Sequence, residues 1–124
     1  MARAPDDGQS TVEFALLLPV LVLALAVVVQ LGVVAYEQIL VVNAAREGAR
    51  EAAVNADRGD VERAVRAAGP LAADRLSITM GERGAPGSRV TVGVRYRMAV
   101  RVPLLHRIFG DGVLQSSATM RVER

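Results

Sequence analysis

The stretch FALLLPVLVLALAVVVQLGVVAY, Phe14 to Tyr36, decides how this chain is built. Its 23 residues carry no charge, and Gln30 is the only strongly polar one among them. At about 1.5 Å of helical rise per residue the stretch spans roughly 34 Å, against a bilayer hydrocarbon core of about 30 Å. A helix of these residues is long enough to cross a membrane. The apolar residues of the 124-residue chain are therefore front-loaded rather than spread as a single globular core would spread them.

The residues before this stretch do not make an ordinary secretory signal. Such a signal needs a basic start, a shorter apolar core and a small-residue cleavage site after it. Here Arg3 and the terminal amine stand against Asp6 and Asp7, and no A-x-A site closes the apolar run. A plain signal anchor fits better, but it leaves Glu13 unexplained. A carboxylate at the edge of a membrane helix costs a few kcal/mol unless it is paired, so it calls for a role.

The residues Gly8-Gln9-Ser10-Thr11-Val12-Glu13-Phe14-Ala15-Leu16-Leu17-Leu18-Pro19 resemble the start of the TadE-like (TadE/TadF/TadG) minor pilins and pseudopilins of the tight-adherence (Tad/Flp) type IV pilus system. Asn43-Ala44-Ala45-Arg46-Glu47-Gly48-Ala49-Arg50 looks like the same family. The resemblance implies a leader, Met1 to Gly8, removed by a prepilin peptidase that cuts between Gly8 and Gln9. It implies that Glu13, beside Phe14, neutralises the new α-amino group of a neighbouring subunit. It also implies a single-pass protein of the bacterial inner membrane with a cytoplasmic N-terminus and an extracytoplasmic C-terminal part, which can end in an extracellular pilus. Its partners would be the prepilin peptidase, other pilin subunits, membrane lipid and, indirectly, the Tad membrane platform and ATPase. The leader is nearly neutral, so the inside orientation comes from the resemblance and not from its charge.

Pro19 removes one helical hydrogen bond and clashes with the preceding turn, so a kink is expected there. Beyond Tyr36 the helical pattern continues, giving one long helix from about Ser10 to Val54. Ala44, Gly48 and Ala52 recur every four residues and form a small-residue ridge. The ridge suits packing against another subunit or against this chain's own sheet, and the residues leave both open.

Asn55 to Gly59 reads as a turn, after which Asp60 can cap a short amphipathic helix through about Ala68, ended by Gly69-Pro70. Three β-rich segments follow: Arg75 to Met80, Arg89 to Val102 and Val113 to Val122. In the second, Val90, Val92 and Val94 alternate with Thr91, Gly93 and Arg95, the pattern of a half-buried strand. Gly81 to Ser88 is a turn or loop. The expected fold is α+β and pilin-like: a long N-terminal transmembrane helix, kinked near Pro19, continuing into a small part with one short helix and a three-stranded antiparallel sheet. The expected divisions are 1–8 (leader), 9–54 (long helix, membrane-spanning at about 14–36) and 55–124 (small extracytoplasmic α+β domain). Leu104, Leu105, Ile108 and Phe109 fall on one face of a helical turn, suited to a membrane or subunit contact or to capping the small core.

From Glu37 onward, 14 arginines stand against 10 acidic residues, interleaved rather than blocked. That is a solvated surface more than a nucleic-acid footprint, so no direct nucleic-acid partner is expected. The absence of cysteine excludes disulfides and thiolate zinc sites. His106 is the only histidine, and Ser116 and Ser117 have no histidine at a suggestive spacing. No P-loop, GxGxxG, HExxH or GxSxG motif is present, so no catalytic residue, metal or cofactor is expected and the chain reads as a non-enzyme. A structural minor pilin or pseudopilin is the leading reading. The alternative is a single-pass anchor whose outer part recruits a partner without entering a filament.

Overall fold

The computed structural model describes residues 6–98, 106, 107, 110 and 112–124. Helix α1 runs from Asp6 to Val54, 49 residues, or about 74 Å at 1.5 Å per residue. It starts four residues earlier than expected, and the helix is continuous through Pro19. A short helix α2 (Arg58–Ala67), a 3₁₀ turn (Ala73–Arg75) and strands β1 (Leu76–Met80), β2 (Arg89–Arg97) and β3 (Val113–Arg121) follow. The strands form an antiparallel meander in the order β1-β2-β3, with Ile78 opposite Val94 and Val94 opposite Ser116. The fold is therefore α+β, a long apolar helix bearing a short helix and a three-stranded sheet.

The sheet packs on the C-terminal part of α1. Along that part, Val41, Ala44, Ala45, Ala49 and Ala52 are fully buried, with Gly48 and Ala53 among them. These positions are spaced three and four apart, which makes a single stripe on the helix. Arg46, Glu47 and Arg50 are exposed on the other side. Opposite the stripe stand Val61 and Val65 of α2, and Val90, Val92 and Val94 of β2, all fully buried. Small residues on α1 permit this close approach. A Cβ added at Gly48 would lie 2.5 Å from Val65 Cγ2 and 2.9 Å from Val92 Cγ1. Within one chain the small-residue ridge of Ala44, Gly48 and Ala52 thus packs against α2 and β2.

Strand β2 alternates as its sequence requires, with Val90, Val92, Val94 and Tyr96 inside and Arg89, Thr91, Arg95 and Arg97 outside. It ends at Arg97, and residues 99–102, the rest of the expected strand, lie outside the described residues. Strand β3 lies against α1 with the half-buried Leu114, Ser116 and Ala118. The expected contact of Leu104, Leu105, Ile108 and Phe109 also lies outside the described residues.

Two corrections concern how the helices end. The α2 cap is Asp57, not Asp60: Asp57 has extended backbone (φ −73, ψ 115) and its Oδ1 accepts from Gly59 N at 2.8 Å. Asp60 sits in the first turn instead, where its Oδ2 accepts from Asn55 Nδ2 at 2.6 Å. Asn55 also donates to Glu51 Oε1 at 3.2 Å, so one amide links the last turn of α1 to the first turn of α2. The C-terminus of α1 has no basic residue in its last turn. Arg83, from the loop between β1 and β2, supplies the cation: its Nε donates to Ala52 O at 2.8 Å and its Nη2 to Ala53 O at 3.4 Å. The same Nη2 also reaches the carbonyl of Arg124, and Glu123 N donates to Ala53 O at 2.9 Å. A guanidinium at helix carbonyls satisfies orphan acceptors and complements the helix dipole.

Two stability predictions follow from this packing. Gly48→Leu overpacks the α1–α2–β2 contact and lowers stability by about 1–3 kcal/mol in denaturant unfolding of the detergent-solubilised chain. Gly32→Leu meets nothing within 4 Å and, gaining helix propensity, does not lower stability. Arg83→Ala costs roughly 1–3 kcal/mol, because charged hydrogen bonds to half-buried carbonyls are lost. Amide exchange at Val54, Asn55 and Glu123 rises with it.

Candidate functional site

The N-terminal part of α1 has the opposite surface from its C-terminal part. Phe14 is 60% exposed, Leu16 71%, Leu25 64% and Val28 64%. Consecutive positions such as Leu16, Leu17, Leu18, Val20, Leu21 and Val22 are all exposed, so the apolar surface runs around the whole circumference. The most apolar window of the helix is 0% buried within the chain. A soluble helix docking on a partner would show one apolar stripe, whereas apolar residues on every side need an apolar environment on every side. Lipid provides that, and so does a bundle of like helices.

Gln30 departs from this pattern. It is only 8% exposed and lies on one line with the half-buried Val27, Val34 and Glu37, a line that runs on into the buried stripe at Val41. The chain thus turns the one strongly polar residue of the run away from the lipid-facing surface. Sequence reasoning missed this inward stripe, although the isolated glutamine was its signal.

At the N-terminal end of the apolar surface stands Glu13, exposed beside Phe14. Gln9 Nε2 lies 3.4 Å from Glu13 Oε1, one helical turn away. Gly8 is helical and exposed, with nothing within 4 Å of where a side chain would begin. The Gly8–Gln9 bond therefore lies inside the first turns of α1 and on its accessible surface. Ala44, Gly48 and Ala52 are far from this end, engaged with α2 and β2.

The outer face of the sheet carries a shallow depression of about 420 Å³ over Gly93, lined among others by Thr79, Arg95, Gln115 and Ser117. Its described lining holds neither an acid nor a histidine. Among the described residues, no group of three His, Cys, Asp or Glu could hold a metal ion.

Residues 8–50 match the family model described as TadE-like protein. Over these residues the chain is TadE-like. The match begins at Gly8, takes in Glu13, Phe14, Ala44 and Gly48, stops short of Ala52, and covers neither α2 nor the sheet. No curated protein and no solved structure matches the chain. The TadE-like family is structural and pilus-associated; the chain is similar to it over residues 8–50, and its apolar helix is long enough to cross a membrane.

The all-round apolar surface makes a test of the span direct. An Arg at the middle of a membrane helix costs about 2.5–3.5 kcal/mol, while each Leu or Val contributes only about 0.3–0.6. The double substitution Leu21→Arg with Leu25→Arg therefore shifts the chain into the soluble fraction on alkaline carbonate extraction. Ile39→Arg, beyond the apolar run, leaves it in the membrane fraction.

Proposed function

We propose that this TadE-like chain is a minor pilin or pseudopilin of a Tad-type pilus. Residues 1–8 are its leader, 9–54 its membrane and assembly helix, and 55–124 its extracytoplasmic part. A prepilin peptidase removes the leader after Gly8, and the processed chain enters the pilus, or its tip or base, through the N-terminal part of α1. The observation that carries this reading is the family match starting at Gly8 on a helix whose most apolar stretch is left uncovered by the rest of the chain.

Gly8 has a physical part in the processing step. The scissile bond lies in a helix, and a protease needs extended backbone. Glycine lowers helix stability by about 1 kcal/mol relative to alanine, so the turn opens most easily where it must be cut. Cleavage makes Gln9 the first residue and places an ammonium one turn from Glu13. In a bilayer or a filament core, a carboxylate and an ammonium from neighbouring chains offset part of each other's desolvation, and removing one strands the other. Phe14 and the leucines after it supply the apolar contact around that pair. The packing of Ala44, Gly48 and Ala52 within the chain favours intramolecular use of the ridge, so contact between subunits is assigned to residues 9–40.

Intact-mass measurement of membrane-extracted protein from a peptidase-competent host is expected to show loss of Met1 to Gly8. A full-length mass would favour the plain membrane anchor instead. Glu13→Ala is expected to leave insertion and cleavage intact and to abolish incorporation into pili. Normal incorporation of the variant would remove the role assigned to Glu13.

A further inference from the structure

Where α1 leaves the apolar run, the chain forms a cleft of about 410 Å³ between the helix and the segment joining α2 to β1. Val33, Tyr36 and Leu40 form the helix wall, and Leu71, Arg75 and Tyr96 face them. The joining segment is fixed in place: Ala72 N donates to the hydroxyl of the buried Tyr96 at 3.4 Å, and Leu71 N donates to Gly69 O at 2.8 Å. No flexible linker separates the apolar run from the sheet, because both belong to or pack on one continuous helix. When residues 14–36 span a bilayer, Tyr36 marks the boundary and the cleft lies in the headgroup layer.

The chemistry of the lining matches that depth. Arg75 and Arg83 are the half-buried arginines among the described residues. Arg83 is held by three carbonyls, whereas no hydrogen bond or ion pair joins the Arg75 guanidinium to another described residue. A partly desolvated guanidinium is a strong donor to phosphate. Leu40, Leu71 and Val33 give apolar surface beside it, and tyrosines favour the membrane–water interface. With Glu37 also in it, the described lining pairs one arginine with one glutamate, a combination of signs that suits a zwitterionic headgroup.

We infer that this cleft seats one phospholipid of the surrounding bilayer, of the phosphatidylethanolamine type, its phosphodiester bound by Arg75 and its glycerol and first methylenes against Leu40 and Leu71. This locks the sheet at a fixed height above the membrane. It requires that α1 lie in a bilayer, not that the chain enter a filament, so its outcome is separate from that of the pilin assignment.

The test uses the full chain in phosphatidylcholine nanodiscs doped with a phosphatidylethanolamine that carries a photoactivatable group near its headgroup. Crosslinks are expected on the peptides containing residues 33–40 and 70–75. Arg75→Ala, and independently Leu71→Glu, are expected to lower the yield there at least fivefold, with Arg75→Lys retaining most of it. Crosslinks from Phe14 to Leu31 serve as the insertion control and stay constant, and circular dichroism checks that each variant is folded. Crosslinks confined to residues 14–31, or an unchanged yield in folded Arg75→Ala, would overturn the site. Stronger competition by phosphatidylglycerol than by phosphatidylethanolamine would overturn the headgroup assignment.

Discussion

Everything after Tyr36 depends on the approach of two valines to a glycine. Val65 and Val92 come so near α1 at Gly48 that no side chain fits there, and the alanines on either side extend the contact along the helix. A three-stranded sheet buries little by itself, and here the helices against one face complete its core. Here the helix is one that also leaves the unit as an apolar shaft long enough to cross a membrane. The core is consequently shared between a soluble part and a membrane element, and neither is complete alone.

The two halves of α1 solve opposite solvation problems with one backbone. Up to about Leu31, large aliphatic residues point in every direction, and the surroundings must cover them. From Val41, the inward positions shrink to alanine and glycine while arginine and glutamate take the outward ones. The line through Gln30, Val34 and Glu37 joins the halves, so the inward side of the lower helix is continuous with the lipid-shielded side of the upper one. Arg83 and Asn55 secure the far end of the helix, where its carbonyls would otherwise face solvent beside the start of α2.

Much of this was legible from the residues. The apolar run, the alternation of Val90 to Tyr96 and the small-residue spacing each follow from a local periodicity, and local periodicity survives into the fold. What the residues did not disclose is nonlocal or a choice between near-equivalents. Asp57 and Asp60 are both capable caps, and the backbone conformation at 57, set by the turn that Asn55 makes, decides between them. Arg83 lies about 30 positions from the carbonyls it serves, and nothing in its neighbourhood marks it as a helix cap. The partner of the Ala44–Gly48–Ala52 ridge was open for the same reason: a smooth helix face states that something will approach closely, not what. The signals at Gly8 and Glu13 are readable only through family resemblance, because their roles require a peptidase and a neighbouring subunit.

The unbroken run of α1 from Asp6 to Val54 also makes the chain a phased shaft. Each residue of an α-helix turns its successor by about 100° and lifts it by about 1.5 Å. The direction in which the sheet faces, relative to Glu13 at the other end, is therefore fixed by the number of residues between them. One residue gained or lost between Phe14 and Leu25, all exposed, would leave hydrophobicity, charge and core almost untouched, yet swing the sheet through more than a quarter turn about the helix axis relative to Glu13. The length of the helix is thus an angular coordinate as much as a distance, which gives a reason for the exact count of residues in a segment whose individual side chains are largely interchangeable.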